Sequence, residues 1–232
     1  KSGSTSFLLT GKRSYIDQTA PSLYKYALDS LTGNLPFSFT DVYGKISTIS
    51  DNGSFLNLFG FNFNDSVNYT GLARLGWNAS GAGANFKIIP STSSIIIGGN
   101  LAYSDYKIGL DEGQDAPRDS RIKGVQSNIF FSYFGRNSEI KYGVEFNAFS
   151  TNFKFTNFLK VPLTFNVNNT ELAGYLKYKY TTRKLVLDPS VRIQYYASLL
   201  KTTFEPRFGA KYNVSDNFRI KTAGGLYSQN LM

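Results

Sequence analysis

The sequence predicts an all-β fold, a transmembrane antiparallel up-and-down β-barrel, with about eleven strands in this chain. Three observations predict it. The first is alternation: from Leu172 to Tyr180 the even positions read Leu, Gly, Leu, Tyr, Tyr while the odd ones carry Ala, Tyr and two lysines, and the pattern resumes from Leu185 to Ala197. Successive side chains of a strand point to opposite sides, so such a segment has one apolar and one polar face. The second is the connections, which alternate long and short. In an up-and-down sheet successive turns lie at opposite ends, so the short ones gather at one end and the long ones at the other, as in barrels with tight periplasmic turns and long extracellular loops. The third is strand length, which approaches or exceeds the roughly 9 to 11 residues that a tilted strand needs to cross a bilayer, against about 5 or 6 in soluble sheets.

Taken in chain order, the strands centre on "SFLLTGKRS", "FTDVYGKISTI", "SFLNLFGFNF", "LGWNASGAGANFKI", "IIIGGNLAYSDYKIGL", "IKGVQSNIFFSYF", "EIKYGVEFNAFSTNF", "TELAGYLKYKY", "KLVLDPSVRIQYYA", "TTFEPRFGAKY" and "NFRIKTAGGLYS". Each is bounded by the Gly, Asn, Asp, Ser and Pro residues that make turns. The long connections are "YIDQTAPSLYKYALDSLTGNLPFS", "NDSVNYTGLAR", "DEGQDAPRDSR" and "KFTNFLKVPLTFNVNN"; the short ones are "SDNG", "PSTS", "GRNS" and "TTR". A single short helix is expected in "APSLYKYALDSL", where apolar residues recur at helical spacing. Tyrosines gather near strand ends, at Tyr103 and Tyr106, Tyr178 and Tyr180, Tyr195 and Tyr196, and Tyr227. An apolar ring with a polar hydroxyl suits the headgroup boundary; cross-strand aromatic pairing is the other reading.

Composition narrows the function. The apolar fraction is 41% and the mean hydropathy −0.23, with 20 Phe and 16 Tyr but one Trp and one Met. A sheet with half its positions in water has this balance. There is no Cys and no His, which excludes disulfides, zinc–thiolate sites and catalysis by imidazole or thiol. The net charge of +9 is spread through alternating strands, so nucleic acid is not expected as a partner. No stretch approaches the roughly 20 apolar residues of a membrane helix. The N-terminus lacks the pattern of a secretory signal, as expected if a signal has been removed or the chain begins within a longer protein.

On parity, Leu172, Leu176, Leu185, Leu187, Val191 and Ile193 face hydrocarbon. Lys45, Glu145, Lys177, Arg192, Gln194, Glu205, Arg207 and Lys211 face the lumen, with Lys179 and Asp188 beside them. Glu145 and Glu205 are not placed as a glycosidase pair; salt bridges to lumen Lys or Arg are the expectation. Asp111, Glu112, Asp115 and Asp119 offer oxygen ligands for calcium, without the spacing of a calcium loop, so a solvated loop is the reading preferred. The glycines of "GWNASGAGANF" follow no phosphate-binding pattern and are expected to allow close packing against a plug or to bulge the strand. The sequons at Asn68 and Asn168 reflect the abundance of Asn, Ser and Thr in loops. No cofactor, metal or catalytic residue is expected.

Four stretches resemble the barrel of TonB-dependent outer-membrane transporters, particularly the Bacteroidetes type with a carboxypeptidase-regulatory-like extension: "SFLLTGKRSYID", "LPFSFTDVYGKIS", "NLAYSDYKI" and "FEPRFGAKYNVSDNFRIKTAGGLYSQNL". They span the chain in the order of that family's mid-barrel. The resemblance implies a 22-stranded barrel filled by a plug, working in the bacterial outer membrane to take up a scarce ligand under the pull of the TonB motor. It implies as partners the remaining strands and plug, outer-membrane lipid and a surface lipoprotein. About half those strands, and neither plug nor TonB box, are read here, so residues 1–232 are expected to be one segment of a larger barrel domain. The alternatives are a passive channel or structural subunit with the same barrel, and a soluble β-sandwich for adhesion or glycan binding.

Overall fold

The structure, a computed structural model, describes residues 4–23, 25–27, 36–69, 71–112, 118–157, 159 and 161–229. Eleven strands form one antiparallel sheet in strict sequence order: β1 (Ser4–Arg13), β2 (Phe37–Ile49), β3 (Phe55–Tyr69), β4 (Ala73–Ile88), β5 (Ile95–Asp111), β6 (Arg118–Phe134), β7 (Ser138–Thr156), β8 (Pro162–Thr181), β9 (Leu185–Tyr196), β10 (Lys201–Asn213) and β11 (Arg219–Gly225). The predicted up-and-down order is therefore present, strand for strand. Among the described residues β1 pairs only with β2 and β11 only with β10.

At one end the turns are tight because their side chains complete them. Gly53 adopts a φ of 80°, a conformation glycine takes without steric penalty, and its N–H donates to the Ser50 carbonyl at 2.9 Å. Asn52 Nδ2 donates to the Ile89 carbonyl at 2.7 Å and the Ile89 N–H donates to Ser54 Oγ at 2.8 Å, tying two neighbouring turns together. Thr182 closes the β8–β9 turn twice, its N–H donating to the Leu185 carbonyl at 2.7 Å and its Oγ1 accepting from the Leu185 N–H at 3.0 Å.

At the other end two of the expected long loops are mostly strand. The segment "KFTNFLKVPLTFNVNN" contributes its first residues to β7 and Pro162 onward to β8, leaving residues 157–161 as the connection. Likewise β3 runs to Tyr69 and β4 starts at Ala73. The asymmetry of the two ends therefore lies in strands that extend past their neighbours and in the long connection from β1 to β2, which carries a helix. Pro162–Thr170 of β8 pairs with β7 alone, β9 joining only from Glu171. The helix is also displaced from "APSLYKYALDSL": it spans Ile16–Leu23, followed by a 3-10 turn at Lys25–Ala27. Ser14 Oγ accepts from the Ile16 N–H at 3.3 Å, an early start that helical periodicity does not reveal. Residues 28–31 of that segment lie outside the described residues.

Burial is inverted relative to a soluble fold. Among the described residues the buried set contains Ser132, Asn169, Gln194 and Glu205 beside Ala20, Ala173 and Tyr196, while Val144, Leu176, Ile193 and Phe204 are 48–62% exposed. A soluble protein hides its large apolar side chains and rarely buries carboxylates.

Candidate functional site: the polar face of the sheet

Paired residues of an antiparallel ladder share a face, so the register sorts every side chain. On the apolar face six consecutive strands present five outward positions each without a charge, over Ile95–Tyr103, Val125–Tyr133, Ile140–Ala148, Leu172–Tyr180, Leu187–Tyr195 and Phe204–Tyr212. Nine residues is the length of a strand crossing a bilayer. Phe131 and Tyr142 stack at 5.2 Å on this face, toward the tight turns. Tyr103, Tyr178, Tyr180 and Tyr195 share it, but Tyr106 and Tyr196 point to the opposite side, Tyr196 buried, because alternation lets only one of two adjacent parities reach lipid.

All eight predicted lumen residues lie on the polar face, in two clusters and two separate positions. In the first cluster Arg192 Nη1 donates to Glu145 Oε2 at 2.5 Å and Arg192 Nε donates to Gln194 Oε1 at 3.1 Å; Gln194 Nε2 then donates to Glu171 Oε2 at 3.0 Å. Glu171 also accepts from Asn169 Nδ2 at 2.8 Å, and Asn169 Oδ1 accepts from Ser198 Oγ at 2.8 Å. Lys177 pairs with Asp188 at 2.9 Å beside it. In the second cluster Arg207 Nη2 donates to Glu205 Oε2 at 2.5 Å, and Glu205 Oε1 accepts from the Ser228 N–H at 3.1 Å and from the Ser228 hydroxyl. The Arg207 guanidinium lies over the Tyr227 ring at 4.6 Å. Both glutamates thus meet arginines, in the salt bridges expected. Lys211 stands opposite Lys221. Lys45 sits on β2, five strands from Glu145 on β7, about 24 Å away at roughly 4.8 Å per strand. Glu171, Asn169, Ser198 and Ser228 were not singled out from sequence; Glu171 shares the odd parity of Lys177 and was legible, whereas Ser228, the last residue of the expected eleventh strand, lies beyond β11, which ends at Gly225.

Of the calcium candidates, Asp115 lies outside the described residues. Glu112 pairs with Arg118 at 3.3 Å, and among the described residues no acidic cluster is placed to hold a metal ion. The glycines Gly81 and Gly83 do not bulge β4, whose ladder with β3 is unbroken from Phe55–Lys87 to Tyr69–Ala73. They make room for the Phe61 and Phe59 rings of β3, whose edges lie 2.8 and 2.6 Å from where their Cβ atoms would be.

Beyond the charge-free band the two faces exchange character. On β8 the outward side reads Thr164, Asn166, Asn168, Thr170 and the other side Leu163, Phe165, Val167; on β7 the outward side reads Ser150, Asn152, Lys154 and the other side Phe149, Thr151, Phe153, Phe155. The ladder runs without interruption from Ser138–Tyr180 to Thr156–Pro162, so the exchange is a phase shift in the sequence and not a slip in register. Phe153 stacks with Phe155 at 6.5 Å and with Phe165 at 6.4 Å, and Arg118 caps Phe155 at 5.2 Å. Trp77, Ile108 and Leu110 share the same face on β4 and β5, Trp77 Nε1 donating to Asp65 Oδ2 at 2.6 Å. The polar lumen side is thus surmounted by an apolar, aromatic rim.

No protein-family model and no curated protein matches the sequence. Among solved structures the chain resembles the FrpB iron transporter of Neisseria meningitidis at a TM-score of 0.62 and 12% identity, over 95% of this chain and 40% of that one. It also resembles the outer membrane transporter YddB of Escherichia coli at 0.53 and 10%, over 90% of this chain and 41% of that one. The chain spans about two fifths of the length of these neighbours. Its fold is that of an outer-membrane β-barrel wall, and with the lipid-facing band it belongs in the bacterial outer membrane.

Proposed function

We propose that the chain is part of the wall of a TonB-dependent active transporter, without catalytic activity, that takes up a scarce ligand across the outer membrane. The observation that carries this reading is the apolar rim of Phe153, Phe155, Phe165 and Trp77 on the lumen side. A passive aqueous pore gains nothing from aromatic side chains facing its mouth, whereas a mouth that holds a ligand, or is closed by other parts of the protein, does. The clusters around Glu145 and Glu205 suit contact with a plug, since each glutamate already meets an arginine when water is displaced, while the buried Arg207 Nε and Asp188 Oδ1 have polar capacity left over. Backbone groups along β1 and β11 need partners within a bilayer, which further strands of a 22-stranded barrel would supply. The extended end, with the rim, faces outward in this reading and is where a surface lipoprotein would sit; the tight turns face the periplasm and the TonB motor.

The full-length protein in a planar bilayer tests this without knowledge of the ligand. The expected result is no steady conductance, because a plug fills the lumen. A stable open conductance would replace active transport with the passive-channel reading.

A further inference from the structure

We propose that the outward face carries, immediately beyond the lipid band, a binding site for the phosphate of a lipid headgroup, formed by Lys107, Arg121, Lys123 and Lys154. The inference rests on the membrane-spanning reading and goes beyond it. These four residues, with Asp119, Ser150, Asn152 and Asn166, line a shallow cleft of about 370 Å³ on β5 to β8. The register puts all of them on the lipid side: Lys107 faces Arg121, Lys123 faces Asp105 on one side and Ser150 on the other, and Lys154 faces Asp119. Lys123 is two residues past Val125, the last apolar outward residue of β6, hence about 7 Å along the strand from the hydrocarbon edge. Lys123 is thus at headgroup depth, while Arg121 and Lys107, four residues past Val125 and Tyr103, and Lys154, six past Ala148, continue the cleft roughly 14 to 20 Å along the strands.

Two features ask for an anion. Lys107 and Arg121 stand directly opposite one another, a cross-strand arrangement of like charges that is destabilising unless something neutralises it. Carboxylates do so only in part. Arg121 donates through Nε to Asp105 Oδ1 at 2.8 Å and through Nη2 to Asp105 Oδ2, whereas Lys107, Lys123 and Lys154 are exposed and, among the described residues, form no ion pair. Four cations against the carboxylates of Asp105 and Asp119 leave the cleft net positive. Ser150 and Asn152 add neutral donors suited to phosphate oxygens. A lipid is favoured over a soluble anion because the site abuts the band: a phosphate tethered to acyl chains that already pack against Val125 and Ala148 is held at high local concentration.

Full-length protein purified in detergent, incubated with lipid A and analysed by native mass spectrometry, tests the site. Neutralising each lysine as Lys107→Gln, Lys123→Gln or Lys154→Gln should weaken binding roughly fivefold, from about 1 kcal/mol per basic residue near a charged surface, and the triple variant roughly 100-fold. Arg74→Gln, outward but farther from the band, should change nothing. Salt at about 1 M should weaken binding to the wild type, a readout that needs no variant to fold. Binding in the triple variant within twofold of wild type, or salt-insensitive binding by wild type, would overturn the proposal. Displacement of lipid A by inorganic phosphate would overturn the lipid as occupant in favour of a free anion. Failure of the membrane reading would look different: wild-type protein would leave the membrane with carbonate and bind no lipid.

Discussion

Leu176→Arg and Ile193→Arg are each expected to destabilise the folded barrel by roughly 2 to 4 kcal/mol, the penalty of an arginine on the lipid side near the bilayer midplane. Both positions are the third or fourth of five outward residues in their strands, on β8 and β9, and are about half exposed. At about 1.4 kcal/mol per tenfold, this shifts the folding equilibrium by between one and three orders of magnitude. Arg192→Leu on the polar face is expected to lose less, about 1 to 2 kcal/mol, because Glu145 loses a partner where water or other polar groups can still reach it. The measurement is urea unfolding of the refolded protein in lipid vesicles, scored by the mobility of unheated samples on a gel. Equal losses for the two classes would undo the assignment of faces.

The second large effect separates two glycines on adjacent strands. Gly143 of β7 points to the polar face, and a Cβ there would sit 2.5 Å from the Ile129 carbonyl oxygen of β6 and 2.9 Å from the Tyr175 hydroxyl. The nearest obstacle is backbone, so relief requires parting β6 from β7. Gly143→Ala is therefore expected to destabilise by roughly 1 to 3 kcal/mol, the range for overpacking. Gly174 of β8, facing Val144 on the lipid side, has nothing within 4 Å of its added Cβ. Gly174→Ala should be neutral or slightly stabilising, since glycine weakens a strand relative to alanine. The same unfolding measurement decides: similar losses at both positions would mean that close approach on the polar face is not what selects glycine at 143.

Most of the fold was legible because alternation is a local property. Leu172 to Tyr180 and Leu187 to Tyr195 announce their faces without reference to any other residue, and their register follows once the tight turns are placed. The extensions were not legible for the same reason. The run Thr164 to Asn168 alternates as strictly as its neighbours but in the opposite phase, so a search for a lipid-facing parity that continues through the strand ends at Thr170 and counts the rest as loop. Only the pairing of Phe153 with Phe165 across β7 and β8 identifies it as strand. The polar face shows the same division. Parity puts Arg192 and Glu145 on one side, and the up-and-down order puts their strands on either side of β8, but alternation does not state that their side chains meet across it. Parity puts Glu205 on the polar face with Arg207, while its Ser228 partner lies past the last strand.

Residues 1–232 contain no cysteine, so, with any cysteine elsewhere in the full-length protein replaced by serine, the most direct measurement is one cysteine at a time at each position from 140 to 154 of β7, read out in intact outer membranes with a water-soluble maleimide and, after bimane labelling, with a lipid-borne nitroxide quencher. The expected pattern has two phases. At Ile140, Tyr142, Val144, Phe146 and Ala148 the label should be quenched from lipid and poorly reached from water. At Ser150, Asn152 and Lys154, on the same face of the same strand, it should be reached from water and escape quenching. A single uninterrupted phase through residue 154 would remove the apolar rim, and no dependence on parity at all would contradict a sheet that spans the membrane.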